Sequence, residues 1–377
     1  MKKFFAILLC VVMVFAVVAC DTNTNEETTV DPNGNTTIEA EYKLGMGIVV
    51  DMSSSDSKKT NAQVDATVAT VVLDAEGKIV ACRIDAVQNK MNVAGGAVDT
   101  AATFQTKMEK GNDYHMADWG AEQDNNGDGK VLEWYDQAKA FEAWVVGKTA
   151  AEVQAMPTQT LGEEFGSTAG YVISADADLL AAGCTIQVGD FVDAVVKACN
   201  DEQGMTFTTA SEFTLGVAAT SFVDAKDSKA ATATENGIVA MYSDFAASVV
   251  ADGVIIATLN DAIQPKIAIT AKGECTPAEF EGTKRERMEG YNMAPAINYG
   301  PNYDPNNDGK VLEWYVQSEA FSNHVVGMTA AEVANMETSV NSLGYQMTTD
   351  ADLLAAGCTI QITAIKAVVA KSANNAR

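Results

Sequence analysis

Two threonines carry the chemistry most open to this chain. Thr185 and Thr359 each follow a Gly-Cys pair inside a twelve-residue block, 176–187, that returns letter for letter as 350–361. In both copies a helix start follows closely, at about Gly189-Asp190 in the first and at Thr363 in the second. Thr363 suits a helix N-cap, and Gly189 is acceptable at the equivalent position. A hydroxyl just ahead of a helix N-terminus lies among unpaired backbone N–H groups and the positive end of the dipole, which suits a phosphate. Gly183 and Gly357 let the backbone come close to a bulky group. A buried turn kept for packing is the other way to read the block.

A second pattern is made of oxygen donors. Asp124, Asn126 and Asp128 with Gly129, and Asp304, Asn306 and Asp308 with Gly309, match the first half of a calcium-binding EF-hand loop. Tyr135 and Tyr315 stand where the bidentate acid belongs, and Glu133 and Glu313 fall two residues early. Calcium is thus one reading, and an acidic turn before a helix is the other. The chain has two histidines, His115 and His324, and neither stands in a Ser-His-Asp or Cys-His arrangement. Walker A and strand-following GxGxxG signatures are absent, as are CxxC and CxxCH motifs.

The elements that must position these residues come in a repeated order. Residues 128–135 return as 308–315, and 145–153 return as 325–333 with one change. Asp85-Ala86-Val87-Gln88 resembles Asp261-Ala262-Ile263-Gln264, and Thr106, Tyr114 and Met116 have their matches in Thr283, Tyr291 and Met293. Gln88, Gln264, Tyr114 and Tyr291 are therefore matched polar candidates for a pocket wall.

Each repeat opens on β-prone stretches, 63–73 and 77–87 in the first and 237–250 and 253–263 in the second, across Gly-containing turns. A helix follows with Val131, Trp134, Tyr135, Ala138, Phe141 and Val145 on one face. Trp134, Tyr135, Trp314 and Tyr315 are expected in the core. Gly147 marks that helix's end, and Thr149 with Glu152 forms a capping box for a short second helix that Pro157 stops. A strand at 184–188 and a helix over about 190–199 close the unit. This predicts an α+β fold in tandem duplication, with domains at 43–203 and 204–377, each able to fold alone.

The N-terminus reads separately. Met1-Lys2-Lys3 precedes an apolar run to Val18, too short for a comfortable membrane span but suited to a signal peptide. Residues 1–19 are expected to be removed. Ala19-Cys20 matches the bacterial lipobox and resembles lipoprotein signal peptides, which implies that the Cys20 thiol is lipidated. Residues 20–42, rich in Asn, Thr and acids, read as a disordered tether. Five cysteines remain beyond Cys20, an odd number that cannot all pair within one chain.

Ala182-Gly183-Cys184-Thr185 and Ala356-Gly357-Cys358-Thr359 resemble the Ser/Thr-Gly-Ala-Thr motif of FMN-binding domains. The whole plan is similar to the flavinylated lipoproteins of Gram-positive flavin-based extracellular electron transfer, which carry two such domains behind a tether. The similarity extends to 85–90, to Tyr114 and Met116, and to 133–148. It implies a covalent FMN on Thr185 and Thr359, placed there by a flavin transferase of the ApbE type. It also implies an electron carrier rather than an enzyme, on the outer face of the cell membrane, taking electrons from a membrane quinone-linked dehydrogenase and passing them to extracellular acceptors. This chain has Ala182 and Ala356 where the family usually has a hydroxyl, Cys184 and Cys358 where it has alanine, and Asp178 and Asp352 one residue farther upstream. A flavin-free surface-binding or structural lipoprotein, stabilised by calcium, is the alternative.

Charge excludes one class. Acidic residues number 51 against 25 basic ones, a formal net charge of −26. Such a chain repels phosphate backbones, so nucleic acid is not an expected partner.

Overall fold

The computed structural model describes residues 27–30, 36–118, 124–295, 304 and 309–377, with side chains from residue 39 onward. The signal segment and Cys20 lie outside the described residues. The first half runs β1 (Glu27–Val30), β2 (Thr36–Asp51), β3 (Asn61–Leu73), β4 (Ile79–Asn92), β5 (Thr103–Phe104), α1 (Lys107–Lys110), α2 (Trp134–Val145) and α3 (Ala150–Gln154). It ends with β6 (Thr158–Thr160), β7 (Val172–Ser174), α4 (Ala177–Ala181) and α5 (Gly189–Cys199). The second half begins with β8 (Met205–Thr209), β9 (Thr214–Val223), β10 (Gly237–Ala251), β11 (Val254–Ile263), β12 (Lys266–Ile269) and β13 (Cys275–Pro277). There follow α6 (Lys284–Arg287), α7 (Trp314–His324), α8 (Ala330–Ala334), β14 (Thr338–Val340), β15 (Gln346–Thr348), α9 (Ala351–Ala355) and α10 (Thr363–Asn374). The class is α+β, with antiparallel sheets throughout.

Two large sheets organise the chain. β1, β2, β3 and β4 follow one another in the first, and β8 adds to β2. The second has the order β13-β12-β10-β9-β5, with β11 also on β10. Strands are exchanged between the halves. β5 precedes the midpoint yet pairs with β9, while β8 follows it and pairs with β2. Two boundaries expected from sequence therefore move. Residues 36–42, read as tether, are part of β2, and the 203/204 division cuts β8 from its own sheet.

One face of each sheet meets the other sheet. Leu44, Met46, Val64 and Val68 share a core with Leu215, Met241, Phe245 and Leu259. The outer face of the first sheet packs Ala69, Ile79, Cys82 and Ile84 against α2, α3 and α5 through Trp134, Phe141, Val153 and Phe191. The second sheet does the same with Ala218, Ala246 and Ile255 under Phe321, Val333 and Val368. The result is four layers, helices–sheet–sheet–helices. β3 and β10 are covered on both faces, so nearly every residue along them is buried, polar ones included.

Local rules set the elements. Thr106, Thr149, Thr283 and Thr329 each form a reciprocal capping box with the Glu three residues on, and such a cap is worth about 1 kcal/mol. β2 carries Gly45 and Gly47 because α5 lies on it: a Cβ at Gly45 would strike the carbonyl oxygen of Ala198. Polar ties then join the halves. Arg285 pairs with Asp201 at 3.2 Å, both nearly buried, and Asp201 also accepts the Met46 amide. Lys197 of α5 pairs with Glu286 of α6, and Lys371 of α10 reciprocates on Glu109 of α1 at 2.6 Å. Each repeat's last helix thus reaches the capping box of the other. The largest core is built half from each repeat, an arrangement that argues against either repeat folding alone.

Candidate functional site: the paired threonine loops

The identical block folds identically. Asp176 caps α4, its Oδ1 accepting the amides of Asp178 and Leu179 at 3.1 and 3.0 Å, and Asp350 does the same for α9 at 3.0 Å in both bonds. The chain then turns at Gly183 and Gly357, with φ of +87° and +90°. A side chain there would be strained by that φ and would run into Leu132 or Leu312. Cys184 and Cys358 point into the two helix-side cores, where burial pushes both thiols up to about 12. They fill space and are not reactive thiolates. All five described cysteines are free.

Thr185 and Thr359 come next and are held by one glutamine each. Gln137 Oε1 accepts the Thr185 amide at 2.8 Å, the Ile186 amide at 3.1 Å and the Thr185 hydroxyl at 3.4 Å. Its Nε2 donates to the Leu132 carbonyl at 2.8 Å. Gln317 repeats this on Thr359, at 2.7 Å to the amide and 3.2 Å to the hydroxyl, and donates to the Leu312 carbonyl at 2.6 Å. Sequence reasoning passed over both glutamines. Their signal was the recurrence of Glu-Trp-Tyr-x-Gln at the start of α2 and α7, which was read as a helix face and as part of the family resemblance with no role given to the glutamine.

The strand expected at 184–188 is instead a loop with a single bridge, Gln187 to Ile173, since the glutamine takes the amides a ladder would use. The N-caps also shift by one. They are Val188 and Ile362, without side-chain caps, so Gly189 and Thr363 are the first helical residues. The Thr363 hydroxyl donates to Gln346 at 3.2 Å.

In the second repeat the loop opens on a cavity of about 370 Å³. Thr359 and Gln317 stand on one side, Gln264 and Tyr291 on another, with Trp314 and Tyr242 as aromatic walls. Ala364 and Ile365 of the first turn of α10 also line it. Tyr291 donates its hydroxyl to Gln264 at 3.0 Å, so these two expected residues meet. Lys284 Nζ rests 5.2 Å from the Tyr291 ring and 5.1 Å from the Trp314 ring. In the first repeat Lys107 stands likewise, 5.2 Å from Tyr114 and 5.4 Å from Trp134. Gln88 lies half-buried on β4, opposite Asp65. Trp134 and Trp314 are core residues, as expected, and Trp314 also shows one surface to the cavity, whereas Tyr135 and Tyr315, expected there too, are only half-buried and send their hydroxyls out to Asn112 and Glu289.

The acidic loop buttresses the threonine. Asn125 donates to the Thr185 carbonyl at 2.9 Å and accepts from Thr168 at 3.0 Å, while Asn126 donates to the Leu180 carbonyl at 3.1 Å. Asp124 spends its two oxygens on the amides of Asp128 and Gly129. Asp128 Oδ1 accepts the Lys130 amide. Asp304 accepts the Gly309 amide at 2.9 Å, and Asn306 and Asp308 lie outside the described residues. Glu133 and Glu313 are engaged by backbone amides. Each accepts two amides, from Met116 and Ala117 and from Met293 and Ala294.

Two buried carboxyls anchor the segment with the lysines. Asp85 accepts the amides of Ala86 and Met108, and Asp261 those of Ala262 and Arg285. Burial raises both to about 6. Hydrogen bonds from Thr106 and the Met108 amide oppose this in Asp85, and Arg285 and Thr283 oppose it in Asp261. No protein-family model, curated protein or solved structure matches the chain.

Proposed function

We propose that this protein is a lipid-anchored electron carrier outside the cytoplasm, with FMN esterified through its phosphate to Thr185 and Thr359. The observation that carries the reading is the second repeat's threonine hydroxyl, held by Gln317 at the edge of an aromatic-walled cavity of about 370 Å³. That volume lies in the usual range for small-ligand sites. The residues present fit a planar ring with a phosphate arm. Thr359 offers the hydroxyl, and Gly357 supplies the left-handed turn that precedes it. The first turn of α10 favours the one negative charge a phosphodiester retains, by about 0.3–1 kcal/mol. Trp314, Tyr291 and Tyr242 can stack against a ring and keep water from it, and Gln264 can donate to or accept from its polar edge. FMN would supply the redox chemistry, and the chain would position it and set its electrostatics.

Covalent attachment suits a site outside the cell, where a dissociable cofactor would be lost. The lipobox cysteine, Cys20, would carry the lipid. A membrane quinone-linked dehydrogenase would supply the electrons, and a flavin transferase of the ApbE type would load the threonines.

Co-expression with such a transferase tests the reading by intact mass. The expected result is two FMN additions, one lost in Thr185→Val, the other in Thr359→Val, and none in the double variant. An unmodified wild type, or additions that persist in the double variant, would overturn the assignment. Fatty-acid labelling that is lost in Cys20→Ala tests the anchor.

A further inference from the structure

Asp244 gives the second repeat a carboxyl at a strand position where the first has a hydroxyl. On β10 it pairs with Ala262, and the matching pair on β3 and β4 is Thr67 with Ala86. Asp261-Ala262 repeats Asp85-Ala86, so Thr67 holds Asp244's place. Asp244 is half-buried and lines the same cavity as Thr359, Tyr291 and Trp314. Among the described residues no donor reaches its carboxyl by a hydrogen bond. Most buried carboxyls of this chain, such as Asp85, Asp261 and Glu142, have such donors. A carboxyl on a cavity wall with no hydrogen-bond donor of its own can exchange a proton when the charge in the cavity changes.

The charged groups around it are few. From α6, Lys284 favours the carboxylate, and from β11, Asp261 disfavours it. Burial outweighs both and raises Asp244 to about 6. On the cavity's other wall Asp227 is taken up by Tyr242 and Lys266, and Asp224 by the amides of Lys226 and Asp227. Lys226 lies 3.9 Å from the Tyr345 ring centre. Asp244 and Lys284 are therefore the groups left to answer a new charge in the cavity.

We propose that Asp244 is a redox-linked proton acceptor: when a ring in the second repeat is reduced, Asp244 takes a proton from water. The inference rests on the flavin reading above. The balance is simple. The ring gains two electrons from an external reductant and one proton from water, which leaves it with one added negative charge. That charge raises the proton affinity of the neighbouring carboxylate, and a second proton from water turns Asp244 into the neutral acid. No bond in the protein forms or breaks except this O–H.

The test uses the full mature protein, flavinylated and then titrated against a chemical reductant at a series of pH values. The Thr185→Val background reports the second repeat, and Thr359→Val reports the first. The second-repeat midpoint potential is expected to fall more steeply with pH above about 6 than below it, because only the ionised carboxyl has a proton to gain. Asp244→Asn, and Asp244→Thr as the copy of the first repeat, should both abolish that bend. They should leave the first-repeat profile unchanged. Carboxyl NMR of the flavin-free protein is a second readout, in which the Asp244 titration should move to higher pH in Lys284→Gln. A normal FMN load with an unmoved profile in both Asp244 variants would overturn the proposal alone. Absence of any FMN mass would overturn the flavin reading with it.

Discussion

Gln317 Oε1 sits 2.7 Å from the Thr359 amide and 3.2 Å from the Thr359 hydroxyl, so one helix side chain fixes both the backbone and the hydroxyl of the candidate acceptor. Gln137 does the same for Thr185. Leucine at either position keeps the volume but removes the glutamine's hydrogen bonds to the threonine loop and to the Leu132 or Leu312 carbonyl ahead of the helix. Each unpaired buried group costs about 1–3 kcal/mol. Gln317→Leu is expected to lower stability by about 2–4 kcal/mol in urea titrations. Loss of modification at Thr359 should accompany it, while Thr185 stays modified.

Met288 has φ +46° and ψ −122°, a conformation that suits glycine, and the matching residue of the first repeat is Gly111 at φ +50° and ψ −122°. Such backbone strain costs about 1–3 kcal/mol. Its side chain is 37% exposed, so only part of its packing is available to be lost on removal. Met288→Gly should raise stability by about 1 kcal/mol, read as an upward shift in thermal midpoint. Gly111→Met should do the reverse.

Asp85 and Asp261 give stability a sign with pH. Their folded-state values, about 6, lie above the ordinary 3.8, so the folded chain holds more protons through this window. Their stabilising contribution is full below about pH 4 and is lost as pH rises through about 6. Melting temperature should therefore rise as pH is lowered from 7.5 to 5. Asp85→Asn with Asp261→Asn should flatten that rise, because the amide does not ionise. A melting temperature that falls over the same range in the wild type would contradict the assignment.

Arg285 and Asp201 join the two halves beneath the surface, with side chains 7% and 10% exposed. Removing one partner strands the other charge. Arg285→Leu is expected to cost about 3–5 kcal/mol. Because the central core is common to both halves, unfolding should stay a single transition in calorimetry, with equal calorimetric and van't Hoff enthalpies. Two separated transitions would contradict the shared core.

The repeat, the long strands and the helix faces were legible because each has a local cause. Asn61–Leu73 and Gly237–Ala251 are dense in Val and Ala between turns, and Thr149 with Glu152 announces α3 within four residues. What stayed hidden depends on distant partners. Residues 36–42 of β2 looked like tether because the stretch is rich in Thr and acids, and Gly45 and Gly47 weaken the strand signal beyond it until the close approach of α5 explains them. β5 and β8 are short and gain their identity from a sheet in the other half. Gln137 is an ordinary polar residue on a helix until Thr185 folds back onto it from 48 positions away.

The common core also bears on descent. The sequences that remain alike, 176–187 and 350–361, lie beside cores that each copy buries privately, where Cys184 and Cys358 meet equivalent surroundings. Residues such as Met46 and Phe245 face the twin copy, so a change in one alters the setting of the other. Once fused in this way, neither copy can be shed, traded by recombination or inherited separately without exposing the interior of its sibling. The pair evolves as one hereditary unit, free to give its two loops different properties but not to part.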